Sequence, residues 1–259
     1  HERLQLAAGA YGTWLHGAGL DIARFEPRLG VAVMPLDGQW LRAAYRRETE
    51  FPTSLTLAPV TTLGLLPDEA PLQAGGRSET LALRWDAEWL PHLFTSVEYQ
   101  RQELRGLDIA VPDTLTSVAV EKGRIERLSA TANLWLDGGI GLFATVAHAD
   151  SEDRSAGPRR GGDLPFVPDW LARFGASWVH PSRVKVTLAE TLVGSRASDL
   201  PGSRLDGYAT TDLSVLWEPF DRRLAIGLSL LNIFDADFDL AEDVPGPGVT
   251  LLGTVTARF

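Results

Sequence analysis

The stretch Val249–Phe259, VTLLGTVTARF, decides the fold class. Val249, Leu251, Gly253, Val255, Ala257 and Phe259 fall on one side of an extended chain. Thr250, Leu252, Thr254, Thr256 and Arg258 fall on the other. Side chains of a strand alternate with a period of two, so one face is apolar and the other mostly polar. Such a strand suits a wall with lipid on one side and water on the other.

The same alternation recurs upstream. Leu81, Leu83, Trp85, Ala87 and Trp89 oppose Ala82, Arg84, Asp86 and Glu88. Leu128, Ala130, Ala132, Leu134 and Leu136 oppose Arg127, Ser129, Thr131 and Asn133. Trp170, Ala172, Phe174, Ala176 and Trp178 oppose Arg173, Gly175 and Ser177. None of these offers the three- and four-residue spacing of a helix. The pattern predicts about twelve strands, at 3–14, 24–35, 39–48, 78–90, 92–105, 121–137, 138–150, 168–180, 183–195, 205–218, 222–234 and 248–259.

Their connections fall into two classes. Leu36-Asp37-Gly38, Leu90-Pro91, Asp137-Gly138, His180-Pro181-Ser182 and Pro219-Phe220-Asp221 carry the Pro, Gly and Asp of tight turns. The connections 49–77, 106–120, 151–167, 196–204 and 235–247 are long. Short turns on one rim and long loops on the other predict an all-β, antiparallel transmembrane β-barrel, with the short turns facing the periplasm. Trp89, Trp178 and Trp217 stand beside short turns, where an interfacial aromatic girdle belongs, and Phe259 closes the chain. Trp135 points inward by parity. A soluble sandwich would be built from strands of about 5–6 residues, shorter than these, and would not explain the two classes of connection.

Composition agrees. Mean hydropathy is −0.03 because a barrel hides its apolar residues in alternation. No apolar run reaches the length of a membrane helix. The formal charge of −10 argues against a nucleic-acid partner. There is no Cys, hence neither a disulfide framework nor a thiolate metal site. No cofactor motif is present, and Gly161-Gly162 forms no phosphate-binding loop.

Four runs carry a family resemblance: Val193-Gly194-Ser195-Arg196, Leu205-Asp206-Gly207-Tyr208, Asn232-Ile233-Phe234-Asp235, and the terminal Phe259. Together they resemble the C-terminal barrel of TonB-dependent outer-membrane receptors. Pro27-Arg28-Leu29-Gly30, Leu41–Tyr45 and Phe51-Pro52 look like that family's mid-barrel hairpin. Ile233 and Phe238 depart from the Leu and Tyr common there. The resemblance implies the bacterial outer membrane and solute uptake through a plugged lumen. It also implies outer-membrane lipid, the barrel-assembly machinery and a periplasmic energy-coupling protein as partners. Receptors of this kind close with about twenty-two strands, and nothing in 1–259 looks like their plug or coupling box. Residues 1–259 therefore read as one barrel domain or as the C-terminal fragment of a larger barrel. The alternative is a small export or diffusion channel, with similar barrel ends standing behind a periplasmic tetratricopeptide-repeat region. A third reading is a membrane-anchored structural or enzymatic barrel.

The alternation assigns Arg42, Arg46, Arg84, Asp86, Glu88, Glu98, Arg127, Arg173, Lys185, Asp212 and Arg258 to the lumen. There they either pair across strands or set solute selectivity by charge. Asp235, Asp237, Asp239, Glu242 and Asp243 read as a solvated acidic loop rather than a calcium site, lacking the glycine and distal glutamate of an EF-hand. Asp150, Glu152 and Asp153 read the same way. His148 and His180-Pro181-Ser182 offer no triad pattern, so no catalytic residue is expected.

Overall fold

The computed structural model describes residues 3–17, 19–50, 62, 63, 65, 70–220 and 223–257. Twelve strands form one antiparallel sheet in which each pairs with its neighbours in sheet order. They are β1 (Leu4–Gly17), β2 (Leu20–Leu36), β3 (Gln39–Thr49), β4 (Leu72–Leu90), β5 (Leu93–Ala110), β6 (Ser117–Leu136), β7 (Ile140–Asp153), β8 (Trp170–His180), β9 (Val184–Val193), β12 (Tyr208–Trp217), β13 (Leu224–Leu231) and β16 (Thr250–Ala257). Two small ladders lie in the loops: β10 (Arg196–Ala197) with β11 (Arg204–Leu205), and β14 (Asp239–Ala241) with β15 (Val244–Pro245). Among the described residues β1 and β16 pair with no strand beyond β2 and β13. Arg258, Phe259 and Asp221 lie outside the described residues, as does most of the 49–77 connection.

Register explains why one face is apolar. Leu6, Val31, Ala43, Leu83, Tyr99, Leu128, His148 and Trp170 are successive cross-strand partners in one row across eight strands. On the opposite face Ala32, Arg42, Arg84, Glu98, Ser129, Ala147 and Leu171 form the matching row. A slip of one residue in any strand would exchange the two faces, so register is strongly specified. The first face is bare: Leu6 is 74% exposed, Phe25 69% and Val255 73%. The second is covered, with Ala32, Ala44, Ala82 and Gln100 buried. An apolar face this extensive on a polar-backed sheet has the character of the outer face of a membrane-spanning β-barrel.

The strands differ from their sequence-derived limits mainly at the long-loop rim. The 106–120 connection is not a loop: β5 and β6 stay paired out to Ala110 and Ser117. The reason is local. Gly106 has φ +70°, a conformation open to glycine, and the alternation resets there. Arg105 and Lys122 are exposed below that point, while Leu107 and Val120 above it are turned to the covered face. There they pack with Leu104 and Leu164 in a small apolar core. A period-two reading that ignores the reset loses the strand. The β1–β2 connection departs the other way. Gly17 pairs with Leu20, so this hairpin is tight although it lies on the long-loop rim.

Candidate solute pathway

Every described candidate for the lumen lies on the covered face by register. Arg42 and Arg84 are cross-strand partners, and both reach Asp86 (2.9 and 2.7 Å). Arg84 also contacts Glu98 on the next strand at 3.3 Å. Arg46 pairs with Glu48, which lies 3.7 Å from Arg28. Arg173 bonds Thr191 (2.7 Å) and lies 3.7 Å from Asp212. Lys185 sits opposite Leu216, near the short turns. Glu88 lies at that same rim, its amide donating to the Gly38 carbonyl. The covered face is thus a ladder of ion pairs within and across strands, half-screened rather than dry.

Sequence reading missed one end of this ladder. Thr13 donates to Glu26 at 2.8 Å, and both are buried. Arg28 stacks 4.6 Å from the Tyr11 ring centre and is the direct partner of Arg46. Two arginines facing each other repel, and Glu48 between them relieves this. The signal was the polar set on β1 and β2, readable only once their register with β3 is known.

Arg127 projects elsewhere. With Gln100 and Gln102 it borders a cavity of about 340 Å³, otherwise walled by apolar groups such as Leu107, Leu164 and Phe166. The loop after β7 forms part of this wall. Asp153 at its start is not solvated, contrary to expectation. It is 2% exposed and accepts the Ser155 amide at 2.8 Å, anchoring the loop.

The sequence motifs converge on the long-loop rim of β8, β9, β12 and β13. Gly194 donates to the Trp170 carbonyl at 2.7 Å, and a Cβ there would stand 2.9 Å from the Trp170 nitrogen. Ser195 donates to Asp169 at 3.0 Å. Arg196, buried, donates to the Asp206 and Asp239 carbonyls and lies over Tyr208, which stacks on Phe238 at 4.0 Å. Arg204 bonds Asp163 and, at 2.7 Å, Asp169; hydrogen bonding to Asp163 first, then the Asp169 charge, raises its already high pKa. Asn232 stands at φ +50° and closes the following loop. It donates to the Ala236 and Pro247 carbonyls (3.0 and 3.2 Å) and accepts the Ala236 amide (2.9 Å). Its own amide donates to Asp212, and Asp235 accepts the Val249 amide at 3.1 Å. Asp235 and Glu242, which accepts from Ser203, are therefore structural hydrogen-bond acceptors rather than free loop charges.

The histidines have local partners. His148 Nδ1 lies 2.7 Å from the Asp169 carbonyl, its ring against Trp170. His180 Nδ1 accepts the Ser182 amide at 3.1 Å and lies 2.6 Å from its hydroxyl, which is turn chemistry. Trp89, Trp178 and Trp217 sit half-exposed on the bare face beside short turns. Trp135 has covered-face parity and lies over Gly141.

A family model for the TonB-dependent receptor-like β-barrel matches residues 16–233. The chain belongs to this family. No curated protein sequence matches it. Solved structures with the same fold include three TonB-dependent-receptor-like barrels. The ferric-catecholate import receptor Fiu of Escherichia coli K12 is 14% identical, with a TM-score of 0.66 over 100% of this chain and 43% of that one. The ferric enterobactin receptor PfeA of Pseudomonas aeruginosa is 16% identical, with a TM-score of 0.67 over 92% and 40%. The copper transporter OprC is 18% identical, with a TM-score of 0.66 over 92% and 40%. The chain thus spans about two fifths of the length of these structures. Membership places the TonB-dependent receptor-like barrel in the bacterial outer membrane. The terminal aromatic and the asparagine motif were the family marks in the sequence; the second acts as a loop clasp.

Proposed function

We propose that this chain is the wall of an outer-membrane uptake receptor, in which outward loops capture a solute and the covered face lines the lumen. The observation that carries this is the charged ladder from Arg42 through Asp86 and Arg84 to Glu98, set on the face opposite the lipid. Salt-bridged walls of this kind keep a lumen wet while holding it rigid. The motif-bearing rim at Arg196, Tyr208 and Asn232 fixes the loops that border its mouth. The backbone edges of β1 and β16 would each cost several kcal/mol per unsatisfied group in hydrocarbon. Further strands of a larger barrel close them, and a plug fills the lumen. Uptake is driven by a periplasmic energy-coupling protein, and the barrel-assembly machinery inserts the wall. Trp89, Trp178 and Trp217 mark the periplasmic membrane interface.

The test is uptake of radiolabelled ferric chelates and copper by cells expressing the receptor, with and without the proton gradient and the coupling protein. Accumulation abolished by loss of either supports the reading. Accumulation indifferent to both identifies a passive pore and refutes it.

A further inference from the structure

The cavity beside Arg127 is built rather than left over. Its floor is β5, β6 and β7, and its roof is the segment that follows β7. Leu164 of that segment is 1% exposed and packs with Leu104, Leu107 and Val120. Gly123 makes room for it: a Cβ there would stand 3.0–3.1 Å from Leu107 and Leu164. The Leu164 amide donates to the Ser151 hydroxyl at 3.1 Å, and the Phe166 amide to the Ala197 carbonyl at 2.9 Å. Phe166 stands at φ +61°, a conformation that strains an aromatic residue. Pro71 closes the other side, its carbonyl accepting the Asp108 amide at 2.8 Å. Protein interiors keep few voids larger than a water molecule. A roof pinned on both sides over about 340 Å³ of space therefore holds that space open.

The polar groups lie together on the floor. Gln100 and Arg127 are direct cross-strand partners, and Gln102 follows one step outward on β5, opposite Ile125. Both glutamines are buried. Beyond them the walls are apolar, from Leu107 and Ile109 to Phe166 and Leu171. Arg127 is the one charged group among the described residues that line the cavity. Glu98, two residues before Gln100, already takes Arg84 and Gln100 and does not line it. The Arg127 guanidinium carries five donors in one plane, enough for a wall contact and a ligand together. Ala149, opposite Arg127 on β7, leaves the space beside it unfilled.

We propose that this cavity binds a monocarboxylate with a compact apolar body, an aryl acid of about ten to fifteen non-hydrogen atoms. The carboxylate pairs with Arg127 at the floor, and the body lies beneath Leu164 and Phe166. One guanidinium fork matches the two oxygens of one carboxylate. A dianion, or a second charge on the body, would lie unpaired against Leu107 and Ile109, where burial is costly. Every group in this site belongs to the wall or to its own connections. The proposal deepens the uptake reading, on which it rests only for placing the cavity in the path of a solute.

The test uses the purified full-length protein in amphipol with radiolabelled 2-naphthoate, 2-naphthamide and 2-naphthyl phosphate, read by equilibrium dialysis. A hydrogen-bonded charge is worth about tenfold or more in affinity. The unaltered protein is expected to bind the acid at least about tenfold more tightly than the amide or the phosphate. Folded Arg127→Gln should bind the acid only as weakly as the amide. Ala149→Leu, which fills the floor, should lose both. Arg223→Gln, exposed at the short-turn rim, should change nothing. Heat-modifiable migration on gels reports folding. No saturable binding of the acid by the unaltered protein, or equal binding of acid and amide, overturns the proposal even if both cavity variants fail to fold. So does a preference kept in folded Arg127→Gln, full affinity in folded Ala149→Leu, or a phosphate bound as tightly as the acid. Acid binding as expected without energised uptake supports the cavity and refutes the uptake reading; energised uptake without acid binding does the reverse.

Discussion

Leu228→Arg tests the assignment of faces. Leu228 is half-exposed on the bare face, opposite Val215 on β12 and Gly253 on β16. It lies four residues from Leu224, where β13 leaves the short-turn rim. At about 3.3 Å per residue and about 40° of tilt it is about 10 Å inside an apolar band about 25 Å tall, near its middle. Its row neighbours offer no counter-charge. An arginine near the midplane costs about 2–4 kcal/mol. Ser229, the next residue, faces Ser214 and Leu252 on the covered side, where a guanidinium stays in water. Ser229→Arg should cost about 0–1 kcal/mol, as substitutions on a lumen face do. The two variants should thus differ by about 1–4 kcal/mol, at least about fivefold in the folding constant. Urea titrations in lipid vesicles, read by tryptophan fluorescence and gel shift, measure it. Equal costs, or a larger cost at Ser229, would refute the assignment.

Asn232→Ala removes three side-chain hydrogen bonds from the loop clasp and leaves a non-glycine residue at positive φ. It should cost about 2–3 kcal/mol and speed proteolysis between 236 and 247; unaltered cleavage would dismiss the clasp. Cysteines at Leu115, fully exposed beyond β5, and at Gly138 report orientation. A membrane-impermeant maleimide on intact cells should label the first and spare the second, and the opposite result would invert the barrel. Cysteines at Leu6 and Val255, on the edge strands, should not cross-link within one molecule, because further strands separate them. Efficient intramolecular cross-linking would mean that twelve strands close alone.

Most of the membrane-crossing part of this fold was legible because lipid imposes a period of two on it. β6, β8 and β13 show five, five and four apolar residues in strict alternation, and their faces follow without reference to any partner. What lay outside the membrane was not legible in this way. Above Glu126 the outer face turns polar, and Gly106 resets the parity, so the outer parts of β5 and β6 read as loop. The ladder was legible as residue types but not as pairs. Arg84 touches Asp86 along its own strand and Glu98 across the next, which depends on register. Asp153 and Asp235 looked like solvated acids because their partners are backbone amides, which leave no trace in side-chain composition. The asparagine motif was legible only as a resemblance, and its hydrogen bonds supply the physical reason for it.

The central claim is that one face of this sheet meets lipid and the other meets water. Nitroxide labels placed singly at 128 to 136 on β6, in the receptor reconstituted into bilayers, test it directly through collisions with oxygen and with a water-soluble nickel chelate. The account predicts oxygen maxima at Leu128, Ala130, Ala132, Leu134 and Leu136, and nickel maxima at Ser129, Thr131, Asn133 and Trp135. Equal accessibility at odd and even positions, or the reverse phase, would contradict it.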